Sequence, residues 1–242
     1  MIDIKHNLAT IEQQIFQACQ QSERSAQDVR LLAVSKTKTS KLVEQAYQAG
    51  QREFGESYVQ EAIEKIASLV CLPNIIWHFI GPIQSNKTKL IAENFSWVHS
   101  IDRTKIAKRL NEHRSGQDTP LNVCLQVNIS EEKSKSGVSL TELPQLIACI
   151  AQCQHLTLRG IMAIPEKNAD KSTYKKMFEL YTSLQSKQKS AKNTYKNFNI
   201  DTLSMGMSND LFLAITGGST MVRIGSAIFG QRNDLSHTTN TD

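Results

Sequence analysis

Eight short apolar runs alternate with helix-like segments along the chain, and this alternation restricts the fold more than any other feature. The runs are LLAVS (31–35), REFGE (52–56), IIWHFIG (75–81), FSWVHSI (95–101), LNVCLQVNI (121–129), LTLRGIMAI (156–164), DTLSMGM (201–207) and STMVRIG (219–225). The segments between them carry helix signals. Leu42, Val43, Ala46 and Tyr47 form an apolar face that stops at Gly50. Ser57 with Gln60 has capping-box spacing ahead of Val59 and Ile63, and Ser139 with Glu142 repeats it ahead of Leu143 and Leu146. Tyr174, Met177, Phe178, Tyr181 and Leu184 mark a long helix whose lysine-rich flanks read as a solvated face. Before the first run, Ile4, Leu8, Ile11, Ile15 and Cys19 make an apolar stripe at helical spacing.

Strand followed by helix, repeated without a linker, calls for a parallel sheet. An open doubly wound sheet and a closed barrel both satisfy that pattern. The count of eight predicts the barrel: an α/β fold, a single (β/α)8 TIM barrel with an extra N-terminal helix. The expected barrel spans residues 1–230, residues 188–199 read as a loop, and 231–242 as a polar C-terminal tail.

Length alone, 242 residues, fits one barrel or two small domains. A hydrophobic content of 40% supplies a core and argues against wholesale disorder. The net charge of +5 is spread along the chain, with no arginine-rich block and interleaved aromatics, so no nucleic-acid partner is expected. No apolar run approaches the roughly 18 residues of a membrane span. The opening MIDIKHNLATIEQQIF lacks the pattern of a signal peptide, so a soluble cytoplasmic protein is expected. The cysteines at 19, 71, 124, 149 and 153 read as small buried apolar residues of a reducing compartment. Cys149 and Cys153 share a helix face, but only His155 lies near them, so no metal site is expected.

A barrel gathers its functional groups at the C-terminal ends of its strands. Those ends read Lys36, Glu56 with Ser57, Gly81 with Pro82, Asp102, Asn128, Met162, Ser208, and Arg223 to Gly225. Side-chain alternation puts Lys36 on the face of Leu32 and Val34. If that face is the interior, burial disfavours the ammonium and leaves a neutral amine able to add to an aldehyde. Taken alone, the segment also fits a lysine that snorkels past the strand end into water.

Residues 204–230, SMGMSNDLFLAITGGSTMVRIGSAIFG, change that balance. Ser208 stands where a helix should begin, before Leu211, Phe212 and Ile215, and a helix N-terminus favours anions. Gly217 and Gly218 end that helix. The last strand then delivers Arg223, followed by Gly225 and Ser226, where the backbone can approach a ligand closely. A buried arginine needs an acceptor. An aldehyde-reactive amine, a phosphate cup and an arginine able to meet a ring nitrogen together suggest pyridoxal 5′-phosphate. An arginine partner disfavours protonation of the pyridine nitrogen and makes the ring a poorer electron sink. Two further residues remain open at this level. His78, alternating with Ile76 and Ile80, is either a pocket acid–base group or a hydrogen-bonded core histidine. Met162 is either a ring contact or an apolar barrel residue. Asn86 and Lys87 either line the mouth or open a helix, and SEEKSKSG (130–137) fits a solvated loop better than a partner-recruiting one.

The stretches LLAVSKTK, FGESYVQEA, WHFIGPIQSNK, HSID, VNISEEKSKSG, LRGIMAIP and the 204–230 motif resemble the pyridoxal phosphate homeostasis protein family. Its barrel is similar to the N-terminal domain of alanine racemase, fold type III. The resemblance implies that Lys36 holds the cofactor as an internal aldimine, a Schiff base. It implies that Ser208, Gly225 and Ser226 contact the phosphate and that Arg223 lies near the pyridine nitrogen. Ser57, His78 and Met162 complete the expected cofactor-contact set. It further implies a cytosolic barrel without established turnover that carries or buffers the cofactor and affects amino-acid and vitamin B6 balance. PLP-dependent apo-enzymes are its candidate recipients, no catalytic residue is assigned, and a monomer is expected. The sequence departs from the family at FGES, where the family reads FGEN, so Ser57 reaches less far than asparagine. The runner-up is a fold type III racemase or decarboxylase. Those enzymes add a C-terminal domain, whereas here the last strand ends near residue 225, and no strand-end tyrosine supplies a second base. A lysine-dependent aldolase acting on phosphosugars is a third reading.

Overall fold

Each apolar run forms a strand: β1 (Arg30–Val34), β2 (Glu53–Glu56), β3 (Ile76–Phe79), β4 (Trp97–Ile101), β5 (Leu121–Gln126), β6 (Leu156–Met162), β7 (Phe198–Ser204) and β8 (Met221–Ile224). The computed structural model describes residues 2–130, 135–166, 169–191 and 193–231. Among them the strands pair in parallel in chain order, and β8 pairs with β1 through Leu31↔Val222 and Leu32↔Arg223, closing the barrel. The helices are α1 (Ile4–Gln21), α2 (Ser40–Gln48), α3 (Val59–Ser68), α4 (Thr88–Asn94), α5 (Thr104–Arg114), α6 (Leu143–Ala151), α7 (Lys171–Ser190), α8 (Leu211–Thr216) and α9 (Ser226–Phe229). The predicted TIM barrel with a leading helix is therefore the observed fold.

The leading helix forms for the reason its sequence gives. The Asp3 side chain accepts from the His6 N–H, which satisfies one of the unpaired amides of the first turn. Ile4, Leu8, Ile11, Ile15, Ala18 and Cys19 are all buried. That stripe packs α1 against α2, α8 and α9, where Asn7 Nδ2 donates to the Ile228 carbonyl at 2.9 Å. The main core lies between the barrel wall and the helices, with Phe54, Phe79, Val98, Val123, Leu125, Ile161 and Ile224 all shielded from solvent.

The barrel interior is unusually polar. Such interiors are ordinarily filled by branched apolar residues. Here the N-terminal end is closed by a charged layer: the Arg30 and Arg159 guanidiniums lie 4.9 and 4.6 Å from the Trp97 ring centroid. Arg30 faces Glu53 at 3.7 Å, and Arg159 pairs with Asp201. Above that layer His78, His99 and Ser204 are buried.

Several local expectations differ from the structure. Helix α7 runs to Ser190 and β7 begins at Phe198, so the loop expected over 188–199 is shorter. Gln188 explains the difference. Its Nε2 donates to the Phe198 carbonyl and its Oε1 accepts from the Ile200 N–H, so a polar helix residue holds the strand edge. Ser57 does not cap α3: the helix begins at Val59, and its cap residue, Tyr58, makes no side-chain cap bond. The Ser139–Glu142 pair does form, with Ser139 Oγ donating to Glu142 Oε2 at 2.7 Å and accepting from the Glu142 N–H at 3.3 Å. Of the cysteines, Cys19, Cys124 and Cys153 are buried, Cys149 is half-buried and Cys71 is exposed in the loop after α3. The expected tail beyond Gln231 and residues 131–134 of the loop after β5 lie outside the described residues. Among the described residues no helix is long and apolar enough to cross a membrane, and no cluster of His, Cys, Asp and Glu is arranged to hold a metal ion.

Candidate functional site

The structure brings together seven of the eight residues singled out from the sequence. Lys36, Ser57, Met162, Ser208, Arg223, Gly225 and Ser226 line one cavity of about 290 Å³ at the C-terminal mouth of the barrel. Val34 and Ile80 line it from below, and the exposed side chains of Ile164 and Met207 add apolar wall. The side-chain alternation along β1 is what delivers Lys36: Leu32, buried in the barrel, then Val34 and Lys36 at the cavity.

His78 is the eighth, and it is not in the cavity. Just beyond β3, Ile80 takes the wall position, and His78 on the strand lies one side-chain layer deeper, fully buried. Its Nδ1 is 3.0 Å from His99 Nε2, its Nε2 is 3.4 Å from Glu53 Oε2, and its ring stacks on Trp97 with centroids 5.2 Å apart. Of the two readings left open by the sequence, the placement is that of a hydrogen-bonded core histidine.

The segment carrying Lys36 is clamped from behind. Lys65 on α3 is buried, and its Nζ donates to the Ser35 carbonyl at 2.8 Å, to Glu56 Oε1 at 2.5 Å and to Glu61 Oε1 at 3.0 Å. Ser35 Oγ donates to the same Glu56 oxygen at 2.6 Å. Glu61 Oε1 also accepts from the Thr37 N–H at 2.6 Å. Thr37 has a φ of 63°, a left-handed conformation that a β-branched residue adopts only when its surroundings impose it. The clamp thus fixes the backbone on both sides of Lys36. Burial pushes the Glu56 carboxyl up from its ordinary range, and the Lys65 ammonium pulls it the other way. Beyond the clamp, Lys38 Nζ donates to the carbonyls of Gly230 and Gln231, tying the loop after β1 to the turn after α9.

Arg223 forms the floor of the cavity near β6 and β7. Its NH1 donates to the Ser204 carbonyl at 2.7 Å and to Ser204 Oγ at 3.0 Å, and its NH2 donates to the Ala163 carbonyl at 2.9 Å. Burial lowers its pKa to about 10, so the guanidinium remains charged at neutral pH. At the opposite side, Gly225 is the cap residue of the single turn α9, whose first amides have no partner within the turn. Ser208 lies in the turn before α8, not at its first residue. The helix starts at Leu211, and Asp210 holds that turn by accepting from the Met207 N–H at 2.6 Å.

Lys38, Ile80, Ile164 and Met207 line the cavity without having been singled out as contacts, and Lys65, Glu56, His99 and Ser204 stand behind it. One signal was available for Lys65. Ala62, Lys65 and Leu69 follow helical spacing, which puts a lysine on the apolar side of α3.

Comparison with known proteins identifies the family of this barrel. The family model described as alanine racemase, N-terminal domain, matches residues 4–233, which defines the class of barrel. The pyridoxal phosphate homeostasis protein of Escherichia coli K12 is 49% identical over 235 residues, covering 96% of this chain and 98% of that one. The protein of the same name from Haemophilus influenzae is 50% identical over 237 residues, covering 96% of this chain and 97% of its own. The chain belongs to the pyridoxal phosphate homeostasis protein family. Among solved structures, PipY of Synechococcus elongatus with PLP bound aligns at a TM-score of 0.75 and 33% identity, over 94% of this chain and 100% of that one. Alanine racemase of Corynebacterium glutamicum aligns at a TM-score of 0.63 and 15% identity, over 96% of this chain and 61% of that chain, and shares the fold alone.

Proposed function

We propose that this protein binds pyridoxal 5′-phosphate in the cavity at the barrel mouth and acts in intracellular homeostasis of that cofactor, carrying or buffering it without catalytic turnover. One observation carries the reading. The Lys36 side chain, a buried guanidinium and the serine and glycine ends of two strands converge on one cavity. Its volume of about 290 Å³ sits at the small end of the range for organic ligands. The names of the relatives and the PLP bound to PipY support the same conclusion.

Each residue then has a role that its chemistry permits. Lys36 holds the cofactor covalently, with its segment kept in place by Lys65, Glu56 and Glu61. Ser208, Gly225 and Ser226 hold the phosphate with hydroxyls and backbone amides. Arg223 donates to the ring nitrogen and, being charged already, keeps that nitrogen unprotonated. Met162 and Ser57 bound the ring laterally. When bound, the cofactor supplies an aldehyde carbon to which a lysine amine adds with loss of water. The exposure of Ile164 and Met207 at the rim supports a carrier, since turnover chemistry benefits from excluding water and a carrier must let its cargo leave. The reading includes a cytoplasmic monomer whose barrel runs to residue 230, with PLP-dependent apo-enzymes as recipients of the cofactor.

Borohydride reduction tests it directly. Purified protein mixed with pyridoxal 5′-phosphate should gain a visible absorbance band that reduction bleaches. The added mass should then map to the peptide containing Lys36. Absence of the band, or a label confined to other lysines, overturns the assignment. Alanine and serine should not be racemised by the loaded protein; substantial turnover of either restores the enzyme reading.

A further inference from the structure

Two buried histidines, His78 and His99, lie outside the cavity. We propose that His99 and Ser204 are positioning residues for Arg223, held in one directed hydrogen-bond chain that runs through the barrel interior to His78, whose far nitrogen faces Glu53. This deepens the reading of the cavity as a pyridoxal 5′-phosphate site and rests on it.

The chain is hydrogen-bonded from Arg223 to His78, and Glu53 faces its far end. Arg223 NH1 lies 3.0 Å from Ser204 Oγ, and Ser204 Oγ lies 3.0 Å from His99 Nδ1. His99 Nε2 lies 3.0 Å from His78 Nδ1, and His78 Nε2 lies 3.4 Å from Glu53 Oε2. Ser204, His99 and His78 are fully buried, so each polar atom must find its partner within the protein. His78 Nε2 and Glu53 Oε2 have no hydrogen-bond partner but face each other.

The direction of every bond follows from its first member. Arginine only donates, so Ser204 Oγ accepts from Arg223. The Ser204 hydroxyl hydrogen must then go to His99 Nδ1, the other polar atom beside it. His99 therefore carries its proton on Nε2 and donates to His78 Nδ1. His78 likewise carries its proton on Nε2 and points it at the Glu53 carboxylate. The reverse direction fails at Ser204, whose hydrogen it leaves without an acceptor, and at the far end it would require a proton on Glu53, whose carboxyl pKa burial raises. Burial, followed by the neighbouring histidine for His78 and by Arg223 for His99, lowers both imidazole pKa values well below the ordinary 6.5, which keeps each ring neutral and able to accept at one nitrogen.

The consequence reaches the cavity. With its hydrogen committed to His99, Ser204 presents only acceptors to the guanidinium. Ser204 and Ala163 then fill three of the five N–H donors of Arg223 and fix its plane, leaving the others for an occupant of the cavity. Removing the acceptor at His99 turns the Ser204 hydrogen back toward Arg223 NH1 and loosens that plane.

The test uses the full chain with and without pyridoxal 5′-phosphate. Histidine ¹⁵N NMR of the unloaded protein should show His78 and His99 as neutral Nε2–H tautomers, unchanged as the pH is lowered through 6.5. His99→Phe and Ser204→Ala should each weaken cofactor binding about tenfold, or ~1.4 kcal/mol, and shift the visible band. The double variant should be no worse than either single one, because both break the same chain. His99→Gln, which restores an acceptor, should recover most of the affinity. Ser204→Ala removes one oxygen and keeps the test open where His99→Phe does not fold. An Nδ1–H tautomer at either ring, additive losses, or a wild-type spectrum and affinity in both single variants overturns the proposal. A wild type that takes up no cofactor sinks the site reading instead, and the tautomers then decide the chain by themselves.

Discussion

Lys65→Met should destabilise the protein by about 3–5 kcal/mol, the usual cost of removing one partner from a buried ion pair. Glu56 is fully buried, and among the described residues Lys65 supplies its only counter-charge within 4 Å. Methionine matches the lysine stem in length but leaves that carboxylate, among the described residues, with Ser35 Oγ as its one hydrogen-bond donor, close to a second carboxylate at Glu61. Equilibrium urea unfolding at neutral pH should show the loss as a lower midpoint with little change in slope. Lys65→Met/Glu56→Gln should recover most of it, because an amide needs no counter-ion. A single-variant loss below about 1 kcal/mol would mean that the pair contributes no more than a surface salt bridge.

The pH dependence of that loss has a definite sign. Burial raises the folded Glu56 pKa above its ordinary 4.5, and the variant lacks the lysine that opposes the rise. The folded variant therefore takes up a proton at Glu56 more readily than the unfolded chain. Its deficit is largest above the folded pKa and shrinks as the pH falls through it toward 4.5. The same variant frees the Ser35 carbonyl, so Lys36 should sit less firmly and cofactor affinity should fall together with stability.

Much of this was legible in the sequence, for a physical reason. A parallel barrel writes its strands as separated apolar runs, and period-two alternation assigns each strand end to the inside or the outside. Lys36 could therefore be grouped with Leu32, and Arg223 and Gly225 with Met221, each on one face of its strand from spacing alone. What alternation cannot give is depth. His78 shares the face of Ile80, yet the cavity floor lies between them, so the same parity describes a wall residue and a buried one. Contacts across the barrel were equally hidden. Ser204 and His99 are 105 residues apart, and only closure of the sheet brings them within 3.0 Å. The start of β7 was missed because Gln185 and Gln188, polar residues on a helix, hydrogen-bond to its backbone, a stabilisation that hydropathy does not record.

Gly160→Ala should prevent stable folding, at a cost above ~4 kcal/mol, the range reserved for specific structural lesions. A Cβ built on Gly160 would lie 1.8 Å from the Thr202 carbonyl oxygen, a backbone atom that cannot turn aside, and its φ of +151° already disfavours any other residue. The glycine sits where the sheet changes register. Leu158 pairs with Phe198, yet Gly160 pairs with Thr202, so β7 carries extra residues between these points. Above the irregularity Met162 aligns with Ser204, and the Ala163 N–H donates to the Ser204 carbonyl at 3.1 Å. Those are the residues that hold Arg223. The close approach at Gly160 thus sets the alignment of β6 and β7 on which the arginine cage depends. Gly50→Ala is the control: Gly50 also has a positive φ, +106°, but nothing lies within 4 Å of the added methyl. That variant should lose only the ~1–2 kcal/mol of left-handed strain. Thermal unfolding of soluble material should therefore find Gly50→Ala folded and Gly160→Ala absent or grossly destabilised. Any Gly160→Ala protein recovered should bind pyridoxal 5′-phosphate poorly, because the acceptors of Arg223 have moved. Equal losses for the two variants would show that strain in φ, not the approach of the two strands, is what glycine relieves at this point.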